Sequence, residues 1–421
     1  MKVFKFGGAS VKNAASVKNV AEIIKAHSQN NLLVVVSAMG KTTNALEEII
    51  EKHHKQQDTT SNLEKLRQYH DEIICGLFDD PVPTQSKIND IVRHIRATLS
   101  LNLNYDIAYD QVVSLGEILS TLIVADFLST QMLTRWIDAR DYVATNTSFR
   151  EGKVEWEPTR IKIKNLKGIL EKSTIITQGF IGRASNGLTT TLGREGSDYS
   201  AAIFASCLNA ESVTIWKDVP GVMNADPKRL PAATVFPDLP FQEAAEMTYY
   251  GASVIHPKTI KPLANANIPL FVKNFDDPVL PGTKIHECKV DQIPPLIVFK
   301  DNQCLISCKV TDYTFVSEDQ LSVIFKTLSD HEVKINMMQN SAISFSFCAD
   351  FRESKIRPLI EQLSRSFEVY YNTNLTLVTI KNHTRELSDE YRSKPGILLE
   401  QLSRSTLQIL VRGNGLSSNA R

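Results

Sequence analysis

Apolar positions in the first two-thirds of the chain follow two alternating rhythms. Short runs without a helical period, at residues 3–6, 32–36, 175–177, 213–216 and 270–272, read as buried strands. A further strand is expected around 135–139. Between them apolar residues return at helical spacing, over roughly 15–27, 118–128, 199–208 and 241–250. Segment 112–117 leads into the second of these helices. Residues 51–110 are polar and helical in pattern, broken at Pro81 and Pro83, and the stretch to about 172 is irregular. Strands alternating with helices imply an α/β domain with a mostly parallel sheet. The turn-rich segment 276–282 marks its end.

The last third has a different rhythm. Strand 304–310, helix 318–329, strands 333–338 and 343–348, helix 354–363 and strand 367–371 give the β-α-β-β-α-β order of a ferredoxin-like unit. A partial copy follows, with strand 375–380, helix 396–403, strand 407–411 and a polar tail. The expected boundaries are therefore 1–285, 296–372 and 373–421. Half a ferredoxin-like unit is expected to leave one sheet face uncovered, which favours association.

Composition narrows the setting. A chain of 421 residues is long for one core and suggests two or three domains. Lys plus Arg (47) balance Asp plus Glu (47), so no overall field favours nucleic acid or an anionic membrane. The first residues carry no apolar leader, and the longest apolar runs are strand-sized, which argues against secretion and membrane spans. Cysteines at 75, 207, 288, 304, 308 and 348 form no Cys-x-x-Cys pair. They read as buried thiols in a reducing, cytoplasmic compartment, without a metal site. His53, His54 and His70 are expected on a solvated helical face.

Candidate chemistry gathers where strands end. Gly7 and Gly8 follow the first strand and precede a helix, a place where backbone N–H groups can approach a phosphate. Lys5 puts a cation there; on this evidence alone it could equally be a surface lysine before a tight turn. Gly40-Lys41-Thr42 resembles the end of a P-loop, but position 35 is valine where that motif needs glycine. Ser197 or Asp198 is expected to cap the helix that follows. Asp218 and Asp226, in a loop after a strand, suit a nucleotide's sugar or its metal. Glu117 and Arg194 are opposite charges on separate motifs, each beside a glycine. They could hold the two ends of a zwitterionic amino acid, or bridge each other. No serine–histidine or cysteine–histidine constellation is visible. Phosphoryl transfer fits, since it needs positioning and electrostatics more than a protein nucleophile.

Read together, Lys5-Phe-Gly-Gly-Ala-Ser10, Thr43-Asn44, Ser114-Leu-Gly-Glu117, Gly179-Phe180, Thr191-Leu-Gly-Arg-Glu-Gly-Ser-Asp198, Trp216-Lys-Asp-Val-Pro-Gly221 and Gly251-Ala-Ser-Val-Ile-His-Pro257 resemble the aspartokinases. The resemblance covers essentially the whole chain, whereas Lys-x-Gly-Gly alone would indicate only the wider amino-acid kinase family. It implies a three-layer α/β/α kinase domain followed by paired ferredoxin-like ACT regulatory modules, the second truncated here. The implied reaction uses ATP with Mg2+ to phosphorylate L-aspartate, the first step toward lysine, threonine and methionine.

Carried over by residue, the resemblance makes Lys5 and Asp198 catalytic. Glu117 would take the aspartate ammonium and Arg194 its α-carboxylate, with Thr43, Phe180 and Ser197 completing the pocket. Lys5, Gly7, Gly8, Ser10, Ser37, Lys217, Asp218, Met223 and Lys228 would line the ATP side. An amino-acid effector would meet Ser317, Asp319, Leu321, Ile335, Asn336, Asn340 and Ser341, and the ACT modules would pair in a homodimer. A strand near 296–299 would help complete the second module.

The chain departs from the family at several points. Ala9 replaces threonine, Glu195 glycine, Met223 tyrosine, Lys228 arginine and Ser253 lysine. Lysine-binding members tend to carry acids where Asn336 and Ala342 stand, so lysine is expected to inhibit weakly or not at all.

Overall fold

The computed structural model describes residues 1–27, 31–101, 103–252, 255–290, 292–311 and 314–413, so Ser253 lies outside the described residues. The chain divides into two compact units. The first comprises residues 1–222, 235–248 and 253–290, and the second 223–234, 249–252 and 291–421. Segments 223–234 and 249–252 thus leave the expected first domain and join the second unit.

The first unit begins β1 (Lys2–Phe6), α1 (Ala14–His27), β2 (Leu32–Val36), α2 (Thr42–His54), α3 (Thr60–Leu77), α4 (Val82–Leu99) and α5 (Tyr105–Ser129). It continues with β3 (Thr134–Trp136), β4 (Ala144–Thr145), α6 (Trp156–Lys164), α7 (Lys167–Leu170), β5 (Thr174–Gln178), β6 (Ile181–Ala184), β7 (Thr189–Thr191), α8 (Gly196–Leu208) and β8 (Ser212–Lys217). It ends with β9 (Asp238–Pro240), α9 (Phe241–Tyr249), α10 (Pro257–Asn265), β10 (Leu270–Asn274) and β11 (Thr283–His286). The main sheet runs β3-β5-β2-β1-β8-β10-β11-β9. It is parallel from β3 to β10, and β11 turns antiparallel to β10. A smaller sheet orders β4-β6-β7.

This topology locates the site. The chain steps from β1 to β2 on one side and later to β8 on the other, so strand order reverses at β1. In open α/β sheets such a reversal opens a crevice at the carboxyl ends of the strands. Strand alternation then sorts the side chains of β1. Phe4 and Phe6 enter the core shared with Val17, Val20 and Ile24 of α1 and Leu119, Ile123 and Phe127 of α5. Lys5 takes the opposite face.

Several expectations change. Helix α5 is continuous from Tyr105, with the Asn104 side chain accepting from the Asp106 N–H at its start. Its sequence is apolar nearly all round and most of it is buried, so no polar stripe marked where it begins. The irregular stretch before residue 172 contains β4, α6 and α7. His70 is fully buried rather than solvated, although His53 and His54 are exposed. Cys75 is exposed and Cys288 partly so, while the other four cysteines are buried.

The second unit holds β12 (Leu296–Lys309), α11 (Glu318–Asp330), β13 (Ile335–Asn340), β14 (Ser344–Asp350), α12 (Glu353–Leu363), β15 (Glu368–Lys381), α13 (Arg385–Arg392), β16 (Ile397–Leu402) and β17 (Thr406–Arg412). They form one six-stranded antiparallel sheet, β13-β14-β12-β15-β17-β16. The segment expected as helix 396–403 is therefore mostly strand β16. Gly396 precedes it at φ 83°, and 397–402 pairs with β17. The helix of the second half is the polar segment α13, which buries Tyr391 and packs Leu387 inward.

Leu296–Lys300 pairs with Lys381–Leu377, the completing strand that the family resemblance implies. Nor is a face of the half-unit left open. One side packs on α13, and on the other Leu375, Leu377, Leu399 and Leu410 cluster with Leu305, Met337 and Cys348 of the first half.

Candidate active site

The site is built where β1 ends. The Lys5 ammonium lies 2.7 Å from Oδ1 of Asp198, and both residues are buried. The Lys217 ammonium, at the end of β8, lies 3.8 Å from the other Asp198 oxygen. Lys5 folds back over its own turn, its Nζ 3.4 Å from where a Cβ on Gly7 would sit. A Cβ on Gly8 would come 2.7 Å from the Ala38 carbonyl oxygen and 2.9 Å from that of Gly40. Only glycine lets the turn after β1 nest against the loop after β2, where the Gly40 N–H donates to the Gly8 carbonyl at 3.0 Å. The Ser10 hydroxyl donates to the Gly7 carbonyl at 2.6 Å, fixing the turn from below.

Asp198 does not cap α8. The N-cap is Glu195, in the left-handed region at φ 53°, with no side-chain cap bond. Ser197 and Asp198 fall in the first helical turn, and the Asp198 carboxylate faces Lys5 instead of the helix backbone. Ser197 packs against Gly179, where a Cβ would stand 2.5 Å from that of Ser197. Phe180 follows at φ 68°, its N–H donating to the Ser200 hydroxyl at 2.9 Å.

Glu117 sits in the buried middle of α5. Its carboxylate accepts from the Ala38 backbone N–H, but Oε2 has no hydrogen-bond partner among the described residues. Burial pushes its carboxyl up to about 8, against the opposing pull of the Ala38 N–H and the nearby Lys5 charge. Arg194 is exposed, and among the described residues it makes no ion pair with Glu117. The direct bridge is therefore not formed. What remains is a buried carboxylate short of one partner and a guanidinium still open to solvent.

The other expected residues fall into two groups. Thr43, in the first turn of α2, and Ser37, just after β2, are half-buried, while Asp218 after β8 is exposed. Met223 and Lys228 belong to the second unit, where the Lys228 N–H donates to the Asp226 carboxylate at 2.9 Å. In that unit Ser317 caps α11 through a capping box with Gln320, and Asp319 is exposed in the same first turn. Leu321 and Ile335 pack on the core between α11, α12 and the sheet. The Asn336 amide is engaged throughout: Lys300 donates to it at 2.7 Å, and it donates to Gln303 at 2.7 Å and Asp350 at 2.8 Å. Asn340 is exposed, and the Ser341 hydroxyl bonds Ser344.

Sequence reasoning missed three contributors. One is the Ala38 N–H on Glu117, which no side-chain pattern announces. Another is His70, whose ring donates from Nδ1 to the Leu66 carbonyl at 2.7 Å and stands 3.4 Å from the Thr42 hydroxyl. Burial lowers this ring to about 4, so it is neutral. The last is Asp110, a buried carboxylate about two turns before Glu117 on α5. Starting the helix at 105 would have placed it on the same element.

Comparison with known proteins fits this geometry. Residues 1–274 match the amino acid kinase family. The chain is 31% identical over 396 residues to lysine-sensitive aspartokinase 3 of Escherichia coli, covering 90% of this chain and 86% of that protein. It is 30% identical over 438 residues to the chloroplastic bifunctional aspartokinase/homoserine dehydrogenase 2 of Arabidopsis thaliana, covering 99% of this chain but 48% of the relative. The chain thus spans about half the length of such bifunctional relatives. Among solved structures, E. coli aspartokinase III in complex with aspartate and ADP superposes with a TM-score of 0.84 at 28% identity, over 98% of this chain and 96% of the other. Its complex with lysine and aspartate gives 0.81, also at 28% identity and over the same shares.

Proposed function

We propose that this chain, which belongs to the amino acid kinase family and within it to the aspartokinases, transfers the γ-phosphoryl group of ATP to the side-chain carboxylate of L-aspartate. A carboxylate oxygen bonds the γ-phosphorus, the bond to the β–γ bridging oxygen breaks, and 4-phospho-L-aspartate and ADP leave. The observation that carries this reading is the buried pair of Lys5 and Asp198 at a glycine turn, with the under-partnered Glu117 carboxylate beside it.

Lys5 meets the charge that grows on the transferred group, and Asp198 orients Lys5. Glu117 receives the substrate ammonium, Arg194 its α-carboxylate, and Thr43, Phe180 and Ser197 close the pocket. The turn at Gly7, Gly8 and Ser10, with Ser37, Lys217 and Asp218, serves ATP. Asp198 would help hold the Mg2+ that accompanies ATP, whose charge would offset that of the phosphates. The acceptor carboxylate is already ionised at neutral pH, so no general base is needed. The neutral, internally bonded His70 is consistent with that.

The second unit is read as an ACT-type regulatory assembly that pairs in a cytoplasmic homodimer and takes an amino-acid effector. Lysine is expected to inhibit weakly or not at all, because Asn336 brings no charge and its amide is already engaged by Lys300, Gln303 and Asp350. Strong inhibition by submillimolar lysine would refute this part.

A coupled assay of ADP release with and without aspartate, with hydroxylamine trapping of the acyl phosphate, tests the activity. Lys5→Ala should lower kcat by about 10²–10³ with little change in the KM for aspartate. Near wild-type kcat in that variant would remove Lys5 from the mechanism.

A further inference from the structure

Strand β7 has an unusual outer edge. On one side it pairs with β6, Ile181 facing Thr191 and Arg183 facing Thr189. On the other, no strand lies among the described residues; two adjacent side chains of α5, with the Gly152 N–H on the Thr191 carbonyl, take that place. The Gln111 amide donates to the Thr189 carbonyl at 2.8 Å and accepts from the Thr189 N–H at 3.3 Å. Asp110 accepts from the Thr191 N–H at 3.0 Å and the Thr191 hydroxyl at 2.7 Å, and from the Arg150 N–H at 2.9 Å. Asp110 is fully buried.

Three donors converge on its two oxygens. The Arg150 and Thr191 N–H groups, which can only donate, meet at one oxygen, and the Thr191 hydroxyl meets the other, so the position needs a side chain whose oxygen accepts from both N–H groups. Keeping a carboxylate there is costly: burial pushes Asp110 up to about 6 even with the three hydrogen bonds and Arg150 pulling it down.

The two elements joined here are the ones that carry the substrate clamp. Helix α5 continues about two turns to Glu117. Strand β7 runs directly through Leu192 and Gly193 to Arg194. We infer that Asp110, seconded by Gln111, is a positioning residue that fixes the spacing of Glu117 and Arg194, and with it the preference for aspartate over glutamate. This inference rests on the function proposed above. Glutamate is one methylene longer, so a clamp of fixed span misplaces its reactive oxygen by about 1 Å, enough to cost on the order of 10²-fold in rate. A clamp whose span drifts discriminates less.

The test compares Asp110→Ala, Thr191→Val and the double variant with wild type, using kcat/KM for aspartate and for glutamate, the KM for ATP, and thermal melting. The expected result is a 10–100-fold loss (order of magnitude) of kcat/KM for aspartate, a smaller loss for glutamate and an unchanged KM for ATP. The double variant should be no worse than the poorer single one, since both remove the same link. Thr191→Ser, which keeps the hydroxyl, should restore activity. Should Asp110→Ala fail to fold, Thr191→Val, which removes only a buried hydroxyl, decides the matter. Variants that melt lower yet keep the aspartate-to-glutamate ratio would overturn the inference, since stabilisation alone does not read substrate length. Wild-type protein without aspartate-dependent ADP release would bring down the proposed function, and this inference with it. An active wild type with unshifted variants would bring down this inference alone.

Discussion

Glu117 is the residue whose chemistry can be pressed furthest. With its carboxyl near 8, it is mostly protonated at pH 7 when no substrate is present. An ammonium placed against Oε2 favours the ionised form, so aspartate binding should release a proton from Glu117. Calorimetry at pH 7 in buffers of differing ionisation enthalpy measures this directly. Affinity for aspartate should rise between pH 6 and 8, and Glu117→Gln should flatten that rise. Stability follows the same shift. A carboxyl raised from 4.5 contributes stability that is fully present below about 4.5 and is lost as pH rises through about 8. Glu117→Gln should therefore melt above wild type at pH 8 and lose that advantage at pH 5. Proton uptake on binding, or none, would show that Glu117 does not receive the ammonium. Lys5 was legible in the sequence because it stands one residue before a glycine pair that ends a strand, and Glu117 because it is a lone acid beside Gly116 in an apolar stretch. Asp110 and His70 were not, because each lies inside a helix whose pattern gives no hint of what packs on it.

Among the elements, strands were read more faithfully than helix limits. The run 32–36 is apolar throughout and could be little else, whereas α5 is apolar on every side and hid its own start. The misread 396–403 shows the opposite case, a short stretch of mixed apolar and polar residues that only pairing with β17 settles. At α8 the expectation of an Asp or Ser cap failed because Lys5 claims the Asp198 carboxylate, leaving Glu195 to turn the chain. A glutamate at φ 53° costs on the order of 1–2 kcal/mol, and its Oε2 is buried without a hydrogen-bond partner among the described residues. Against this, an acid at a helix start gains only about 0.3–1 kcal/mol. Strain outweighs the gain. Glu195→Asn keeps a residue that tolerates this conformation and removes a charge one turn from Asp198. It should melt no lower than wild type and should lower the KM for ATP. A higher KM would mean that the Glu195 carboxylate serves the nucleotide.

On the scale of a whole folding unit, the sequence suggested two regulatory modules divided near residue 372, and a single sheet runs through both. Strands β12 and β15 are each 14 residues long, and both run through both halves. The bulged register near Lys300–Leu305 bends the ladder without cutting it. A sequence pattern cannot reveal this, because each half-strand alternates correctly by itself. The physical consequence is cooperativity: opening the second half removes the partner of Leu296–Lys300 and uncovers Leu305, Met337 and Cys348. Ile409→Ala tests it. Ile409 is buried among Val378, Ile380, Tyr391, Leu407 and Val411, all from the second half, so any effect on the first half must travel through the shared strands. A buried Ile→Ala change costs about 2–5 kcal/mol. In one cooperative unit, that loss should appear as faster hydrogen exchange, on the order of 30-fold or more, at the amides of Ile306 and Phe347 in the first half. In two separate modules it would stop at α13, β16 and β17. Unchanged protection at Ile306 and Phe347, with fast exchange along β17, would show that the halves open independently despite their common strands.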